Sequence, residues 1–336
     1  YIEFNYVKFE NLSGITFNGH RYNNCIISDC NVYGEYLTSG ATFRGCEIYN
    51  CTVQSNMYCF CELCHGAGFT GWFSNGSTFI ETSIHDCIFN HGFGTSARFY
   101  HSNYIGNEII YGADTPDFTT MEESNCFGNY YDFKVANENP YFKPGYYSIV
   151  FNTKEPEVFY LSQAYLGTAS DEVAYRSILD AEDNIGWGTV DVFQKKEYAI
   201  EDAPLCVDYI KVDDYNPLDE EELLPPLGVG RHKFEVVFNK TMDQSVHPMI
   251  TMGVRTPYTQ VSVDEDGHWL DPWTYIAYVT ITSRTATDGI NRIRVSDYKE
   301  KNQNPAFGAP IEKYRYNVLV SVASSMSTGL MAEPGL

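Results

Sequence analysis

Basic side chains are scarce in this chain. Its 336 residues carry 22 Lys and Arg against 44 Asp and Glu, a net charge of −22. Nucleic acid and anionic membranes are bound through clustered cations, so neither is expected as a partner. The same field disfavours a polyanionic glycan unless Ca²⁺ bridges the two, and a solvated acidic surface is the simpler meaning. Long apolar runs are lacking as well. None approaches the roughly 20 residues that span a bilayer, so no membrane insertion is expected within this chain. Helical apolar spacing is rare, and no nucleophile elbow, P-loop or H-E-x-x-H is present. The chain opens at Tyr1, without Met or signal peptide and inside a patterned segment (Ile2, Phe4, Tyr6, Phe9), so it reads as a piece of something longer.

Aromatics are plentiful: 27 Tyr and 21 Phe favour strands. The amino-terminal third also repeats. NNCIISDCNV (residues 23–32) lies over RGCEIYNCTV (44–53) at an offset of 21, so that Cys25 meets Cys46, Ile27 meets Ile48 and Cys30 meets Cys51. A further two steps of 18 bring Phe43 to Phe79, Ile48 to Ile84 and Cys51 to Cys87, with Cys61 and Cys64 at the intermediate step. Two columns result: Cys25, Cys46, Cys64, and Cys30, Cys51, Phe69, Cys87. Apolar residues two or three apart, separated by Asn and Asp, describe short strands joined by bends, with Asn24, Asp29, Asn50 and Asp86 at the bends. Coils of this kind bury nothing alone and share one core when stacked. A thiol suits an inner column because it packs as a small hydrophobe.

That repeat decides two motifs that sit back to back in YCFCELCHGAGFTGW (residues 58–72). Cys61-Glu-Leu-Cys64-His65 has the form of a c-type haem attachment site, but Cys64 already has a place in a column, and haem is rejected. Cys59, Cys61, Cys64 and His65 are chemically suited to Zn²⁺, yet all would come from one short loop, so a stacked apolar cluster is preferred. Gly66-Ala-Gly68-Phe-Thr-Gly71 has neither a strand before it nor a helix after it, and NAD binding is rejected. Gly66 and Gly71 stand where neighbouring coils carry Ile and Val or Phe, which suggests a bulge or a loop leaving the coil. Mainly reduced thiols are expected, with one disulfide around Cys59 to Cys64 as the exception.

Residues 136–215 break the rhythm. Phe159 to Asn184 contains the one convincing helix, capped at Thr168 or Ser170, with Asp171 and Glu172 at its positive end and Val173, Ile178 and Leu179 on its apolar side. Asp180, Glu182 and Asp183 lack the spacing of a Ca²⁺ loop and read as a solvated helix end. Residues 216–231 form an acidic, Pro- and Gly-bearing linker. Residues 232–323 hold short strands separated by turn signals such as Asp266-Gly267 and Asp288-Gly289, the pattern of a β-sandwich. Residues 324–336 resemble the lead-in to a further, fibronectin-like domain.

The f-x-x-C-x-I-x-N-C-x-v rhythm of residues 1–135 resembles the right-handed parallel β-helix family of secreted and surface proteins, and residues 136–215 resemble the closing section that covers such a solenoid. F-x-V-x-F-N-K-x-M-D (234–243), D-G-x-W (266–269) and T-D-G-x-N-x-I-x-V (287–295) resemble bacterial immunoglobulin-like domains of cell-surface proteins. The resemblances imply an all-β, extracellular or cell-surface bacterial protein that binds or displays a glycan or a partner protein. They leave a polysaccharide lyase or glycoside hydrolase as the alternative. Lyases of that kind use Ca²⁺ with an Arg or Lys base, and hydrolases clustered Asp. Between Tyr1 and Tyr130 the basic residues are only Lys8, Arg21, Arg44 and Arg98, and no Asp-Asp pair occurs. His65, His85, His91 and His101 recur about once per coil, and His85, Asp86 and His91 are the catalytic candidates, weighed against polar bend residues. Asp114, Asp117, Glu122 and Glu123 are the cation candidates, Ca²⁺ being the one cofactor considered. Trp72, Trp269, Trp273 and Tyr275 are the sugar-platform candidates, weighed against packing in the sandwich.

Overall fold

The computed structural model describes residues 2–17, 19–32, 40–53, 59–62, 64–67, 70–71, 77–85, 87–89, 97–110, 118–132, 145–147, 149–150, 158–180, 182–183, 188–215, 226–255, 258–282, 284, 288–301 and 312–320. It divides into two compact units, Tyr1–Pro204 and Leu205–Leu336.

The first unit is a parallel β-solenoid. Its first sheet runs through Glu3–Asn5, Arg21–Asn23, Ala41–Arg44, Cys59–Glu62, Thr78–Ile80, Ala97–Tyr100, Phe118–Glu122, Val158–Ser162 and Thr189–Phe193, in that order. The second sheet stacks Lys8–Glu10, Ile26–Ser28, Glu47–Tyr49, His65–Ala67, Ser83–His85, Asn103–Ile105 and Asn125–Phe127. The third runs from Ser13–Ile15 to Asn129–Asp132 and ends on one antiparallel strand, Gly145–Tyr147. As far as Asn129–Asp132 every coil contributes one strand to each sheet, and each rung satisfies its backbone groups on the next.

The registers reproduce the steps read from the sequence. Phe43 pairs with Cys61 and Cys61 with Phe79, the shorter step each time, while Ile27 pairs with Ile48 by the longer one. In the first sheet one inward column runs Phe4, Tyr22, Phe43, Cys61, Phe79, Phe99, Met121, Leu161, Val192. Its rings stack, with Tyr22 and Phe43 centroids 5.0 Å apart and those of Phe79 and Phe99 4.6 Å apart. Burial of this size supplies most of the stabilisation, each large side chain contributing roughly 1.5–3 kcal/mol.

Corners are made by single left-handed residues. Between the first and second sheets these are Tyr6, Asn24, Gly45, Glu81, His101, Glu123, Gln163 and Gln194; between the second and third they include Asn11, Asp29, Asn50, Gly106 and Gly128. Asn and Asp tolerate positive φ because their short side chains bond locally, and Gly because it has no Cβ. Asn24, Asp29 and Asn50 therefore occupy the bends assigned to them, and Asp86 lies outside the described residues. Gly45 also answers a steric demand: a Cβ there would lie 2.5 Å from Asn24 Oδ1.

Three expectations are corrected. Gly66 marks no bulge: His65–Ala67 pairs regularly on both sides, Gly66 with Ile48 and Ile84, and Gly71 pairs with Phe89 in a different sheet. The rungs do not end where the rhythm ends. Met121 pairs with Leu161 and Leu161 with Val192, so insertions between coils lengthen while the inward column continues. The helix shrinks to Asp171–Arg176, capped by Ser170, whose side chain accepts from Val173 N. Ile178 and Leu179 belong instead to a two-residue strand on Ile149–Val150. A tertiary ladder beats a weak helical preference there.

The second unit has two four-stranded antiparallel sheets. One orders Val207–Val212, Gly230–Phe238, Thr274–Ile281 and His268–Trp269; the other orders Val261–Ser262, Met249–Gly253, Gly289–Ser296 and Glu312–Val320. Both feed a single buried cluster that includes Val236, Phe238, Ala277 and Val279 from one and Ile250, Met252, Ile293 and Val295 from the other. This fits a sandwich. Its first strand, Val207–Val212, precedes the acidic stretch 216–231, and Gly230 and Arg231 of that stretch already belong to the next strand.

Candidate functional site

The polar and sulfur-bearing residues of the solenoid come together at its two corners. After the first corner, an inward position holds Cys25, Cys46, Cys64, Thr82, Ser102 and Ser124 in successive coils. Each hydroxyl acts twice. Ser102 Oγ donates to Tyr100 O at 2.7 Å and accepts from Thr82 N at 3.1 Å; Ser124 Oγ donates to Glu122 O at 2.8 Å and accepts from Ser102 N at 3.0 Å. The thiols lean the same way, Cys46 Sγ lying 3.3 Å from Tyr22 O and 3.4 Å from Arg44 O. After the second corner the column reads Cys30, Cys51, Cys87, Asn107, Asn129, and Phe69 lies outside the described residues. Asn107 Oδ1 accepts from Cys87 N at 3.0 Å, and Asn129 Nδ2 donates to Tyr104 O at 3.2 Å.

Burial acts on three of the thiols, Cys46, Cys51 and Cys126. It pushes Cys51 up to about 12 and carries Cys126 higher; at Cys46 a hydrogen bond with Cys64 raises the thiol furthest, with burial adding to it. Nucleophilic or metal-binding Cys needs the opposite shift. All nine cysteines whose side chains are described are buried thiols, Cys61 and Cys64 included; the Cys59 side chain lies outside the description. Among the described residues no three His, Cys, Asp or Glu side chains gather in a way that would hold a metal.

Of the candidate catalytic residues His85, Asp86 and His91, only His85 is among the described residues. His85 is buried, and in register it follows Ala67 and precedes Ile105, whereas His65 aligns with Glu47 and Ser83. His101 stands at a left-handed corner, 3.2 Å from Glu123 Oε2. His65, His85 and His101 thus share no column and form no ridge. Asp86 and His91 lie outside the described residues, as do Trp72, Asp114 and Asp117. Glu122 points outward from the first sheet, and Glu123 occupies the corner beside it.

Asp180 has a structural use. Its carboxylate is buried and accepts from Glu182 N at 2.9 Å and Val190 N at 2.6 Å, tying the turn after the short strand to the last rung. The solvated helix end expected there is corrected for Asp180, whereas Glu182 and Asp183 are exposed. Nearby, the Lys195 ammonium donates to Thr168 O at 3.2 Å and Ala169 O at 3.0 Å and pairs with Asp171 at 3.3 Å. The chain that follows doubles back along the second sheet. Ile200 N donates to Asn125 Oδ1, Asn125 Nδ2 to Asn103 Oδ1, and Asn103 Nδ2 to Pro204 O, each at 2.8 Å.

In the second unit the three platform residues part company. Tyr275 is buried, its hydroxyl 3.1 Å from His247 Nδ1, and burial raises its phenol. Trp269 packs at 5.8 Å from Phe238 and 5.1 Å from Tyr275 and donates its Nε1 to Val246 O at 3.0 Å. Trp273 alone presents its ring, 45% exposed beside Leu270, on a turn closed by Asp271 Oδ1, which accepts from Trp273 N and Thr274 N. Residues that carry the solenoid's polar ladders, Thr82, Ser102, Ser124, Asn107 and Asn129, escaped sequence reasoning. The signal was there as small polar residues that continue the Cys columns at successive steps of 18, 20 and 22.

Fold and columns together define an all-β protein: a parallel β-solenoid with interlocked inner ladders, followed by a unit of paired antiparallel sheets. No protein-family model, curated protein or solved structure matches the chain.

Proposed function

We propose that this chain is a non-catalytic segment of a secreted, cell-surface, multidomain bacterial protein that binds or displays a glycan or a partner protein. On this reading the solenoid is a right-handed β-helix and the second unit an immunoglobulin-like sandwich. One observation carries it: among the described residues, the polar and sulfur-bearing side chains of the solenoid interior are engaged in structure. Thiols and hydroxyls face carbonyls of their own and adjacent rungs, the Asn side chains bridge rungs or clamp the returning chain, and the Asp180 carboxylate is held by backbone N–H groups. What remains is a stiff axial scaffold whose outward faces vary, which suits presentation of a surface to a partner. The phrases that resemble bacterial surface domains support the extracellular setting. No Ca²⁺, haem or nucleotide enters this reading.

The purified chain, incubated with an array of neutral and acidic polysaccharides, is expected to retain ligand without turnover. New reducing ends or unsaturated products would overturn the proposal in favour of a polysaccharide lyase or glycoside hydrolase.

A further inference from the structure

Thr189–Phe193 is the last rung of the first sheet, and among the described residues it pairs only with Val158–Ser162. The chain beyond it turns away from that end and runs back along the second sheet, with Ile200 at Asn125 and Pro204 at Asn103. The hydrogen bonds show which backbone groups this edge leaves open. Phe193 O accepts from Gln163 N at 2.8 Å, so Phe193, and by alternation Asp191 and Thr189, turn their groups toward Val158–Ser162. Val190 and Val192 turn theirs toward the open end. At the corner after this sheet the left-handed residue donates its N–H to the next rung: Asn24 N to Arg44 O, His101 N to Glu122 O, Glu123 N to Ser162 O. Gln194 holds the same corner, with no rung beyond it among the described residues. One open donor is closed, because Val190 N donates to Asp180 Oδ2 at 2.6 Å. Four groups remain without a hydrogen-bond partner among the described residues: the N–H of Val192 and Gln194 and the carbonyls of Val190 and Val192. Apolar surface collects at the same place. Val158 is 41% exposed, Tyr160 54% and Phe193 59%, all on the outer face of the last two rungs, and the inward Val190 and Val192 are only partly buried.

An open edge beside exposed apolar side chains is a template for another strand. Extended polypeptide supplies donors and acceptors at ladder spacing, and this edge is complementary to itself. When two copies lie antiparallel about a twofold axis at Val192, each Val192 N–H meets the other Val192 O, and each Gln194 N–H meets the other Val190 O. Two donors and two acceptors per copy are then all satisfied. We infer that this chain forms a twofold dimer, end to end, through Thr189–Phe193. Two features select that register. Moving the axis to Asp191 sets two like charges directly opposite each other, and it calls on Val190 N, which Asp180 already holds. With the axis at Val192, Asp191 lies opposite Phe193 of the other copy on the outer face, and the two Val192 side chains close the inner column. The contact is isologous and closed, so it stops at two copies. Each copy carries a net charge of −22, so repulsion opposes association and salt favours it. One strand pair with its neighbouring side chains buries less than about 1,200 Å², the size of a weak interface.

Sedimentation of the whole chain over a wide concentration range, at low and high salt, tests this. Val192→Pro removes the N–H at the axis; the ladder to Val158–Ser162 stays intact because Val192 turns its groups away from it, and an edge strand tolerates proline there. Phe193→Glu places like charges opposite one another in this register, and Phe193→Lys places opposite ones. Thr42→Glu adds the same charge to the outer face of the third strand of the sheet, as a control. Thermal unfolding verifies that each variant is folded. A monomer–dimer equilibrium that tightens with salt is expected. The association constant is expected to fall roughly tenfold or more in Val192→Pro and Phe193→Glu, to be retained in Phe193→Lys and to be unchanged in Thr42→Glu. A chain that stays monomeric at every concentration and salt would overturn the inference. So would a dimer that Val192→Pro and Phe193→Glu leave unchanged, which would use another face, and so would growth past two copies. If Val192→Pro does not fold, the two Phe193 variants decide, and equal loss in both overturns the pairing.

Discussion

Asn129 Oδ1 accepts two hydrogen bonds from Asn107 on the preceding rung, one from the backbone N at 3.1 Å and one from Nδ2 at 3.2 Å. Asn107 Nδ2 also reaches Ile84 O at 3.2 Å, so a single amide links three coils. Both residues are almost fully buried. Where earlier coils hold a column together with thiols, these hold it with amides, which form stronger bonds and leave more unsatisfied when removed.

Asn129→Ala is therefore expected to destabilise the solenoid by about 2–4 kcal/mol, since a buried N–H and an amide lose their acceptor together. Asn129→Asp is expected to be at least as harmful, because it buries a carboxylate and loses the Nδ2 donor that meets Tyr104 O. Urea unfolding followed by fluorescence gives the free energies. A loss below about 0.5 kcal/mol, the range of an ordinary surface substitution, would show that the ladder contributes little.

Gly45→Ala places a Cβ at a left-handed corner and against the Asn24 amide. A cost of about 1–2 kcal/mol follows from the backbone conformation, and the clash adds to it. The double change Asn24→Gly with Gly45→Ala relieves the clash and leaves the backbone term. A double-mutant cycle separates the two contributions.

The buried thiols set a pH dependence at the alkaline side. Cys51 titrates at 9.0 in an exposed chain and is pushed up to about 12 in the folded one. Above pH 9 the unfolded state loses its proton and the folded state keeps it, so unfolding becomes easier as pH rises. The stability that the neutral thiol contributes is fully present below pH 9 and is lost progressively toward pH 12. It amounts to about 4 kcal/mol at most for this group. Cys46 and Cys126 act in the same direction. Denaturation midpoints measured from pH 8 to 11 are expected to fall steeply, and Cys51→Ala to flatten the slope. In the native protein the nine described thiols are expected to react with an aromatic disulfide reagent at pH 8 only as fast as the chain unfolds.

The two tryptophans of the second unit separate packing from surface. Trp269→Ala removes a ring packed on Phe238 and Tyr275 and a hydrogen bond to Val246 O, for a cost of about 3–5 kcal/mol. Trp273→Ala removes a ring that is 45% exposed and is expected to change stability by less than about 0.5 kcal/mol. Calorimetry on both variants measures this directly. If Trp273 contacts a ligand, its replacement alters affinity with melting temperature unchanged.

Much of the solenoid was legible because a stacked repeat writes its register into the chain. Cys25 under Cys46 and Phe43 under Cys61 were matched by offset alone, and the coordinates pair their strands in that register. Asn and Asp at the corners were equally readable, since positive φ selects them. The strands of the second unit near 234–238, 249–253, 274–281 and 289–296 followed from alternation and turn residues. Legibility failed where the repeat lengthened. Leu161 stands far along the chain from its register partner Met121, and Val192 far from Leu161, well past any offset that the earlier coils would suggest. Ile178 with Leu179 mimicked a helical face.

The candidate sites were the least legible part. A histidine's column depends on the length of every coil before it, and those lengths vary, so histidines that recur in sequence scatter in space. What the sequence by itself determined is the period, the inward residues and the corners, because all three are local or nearest-neighbour properties. Only the tertiary structure decided that Tyr275 is covered while Trp273 is not, that small polar residues continue the thiol columns, and that the last rung leaves Val192 without a described backbone partner on its open side. Exposure and hydrogen-bond satisfaction depend on residues far apart in the chain, and no local pattern records them.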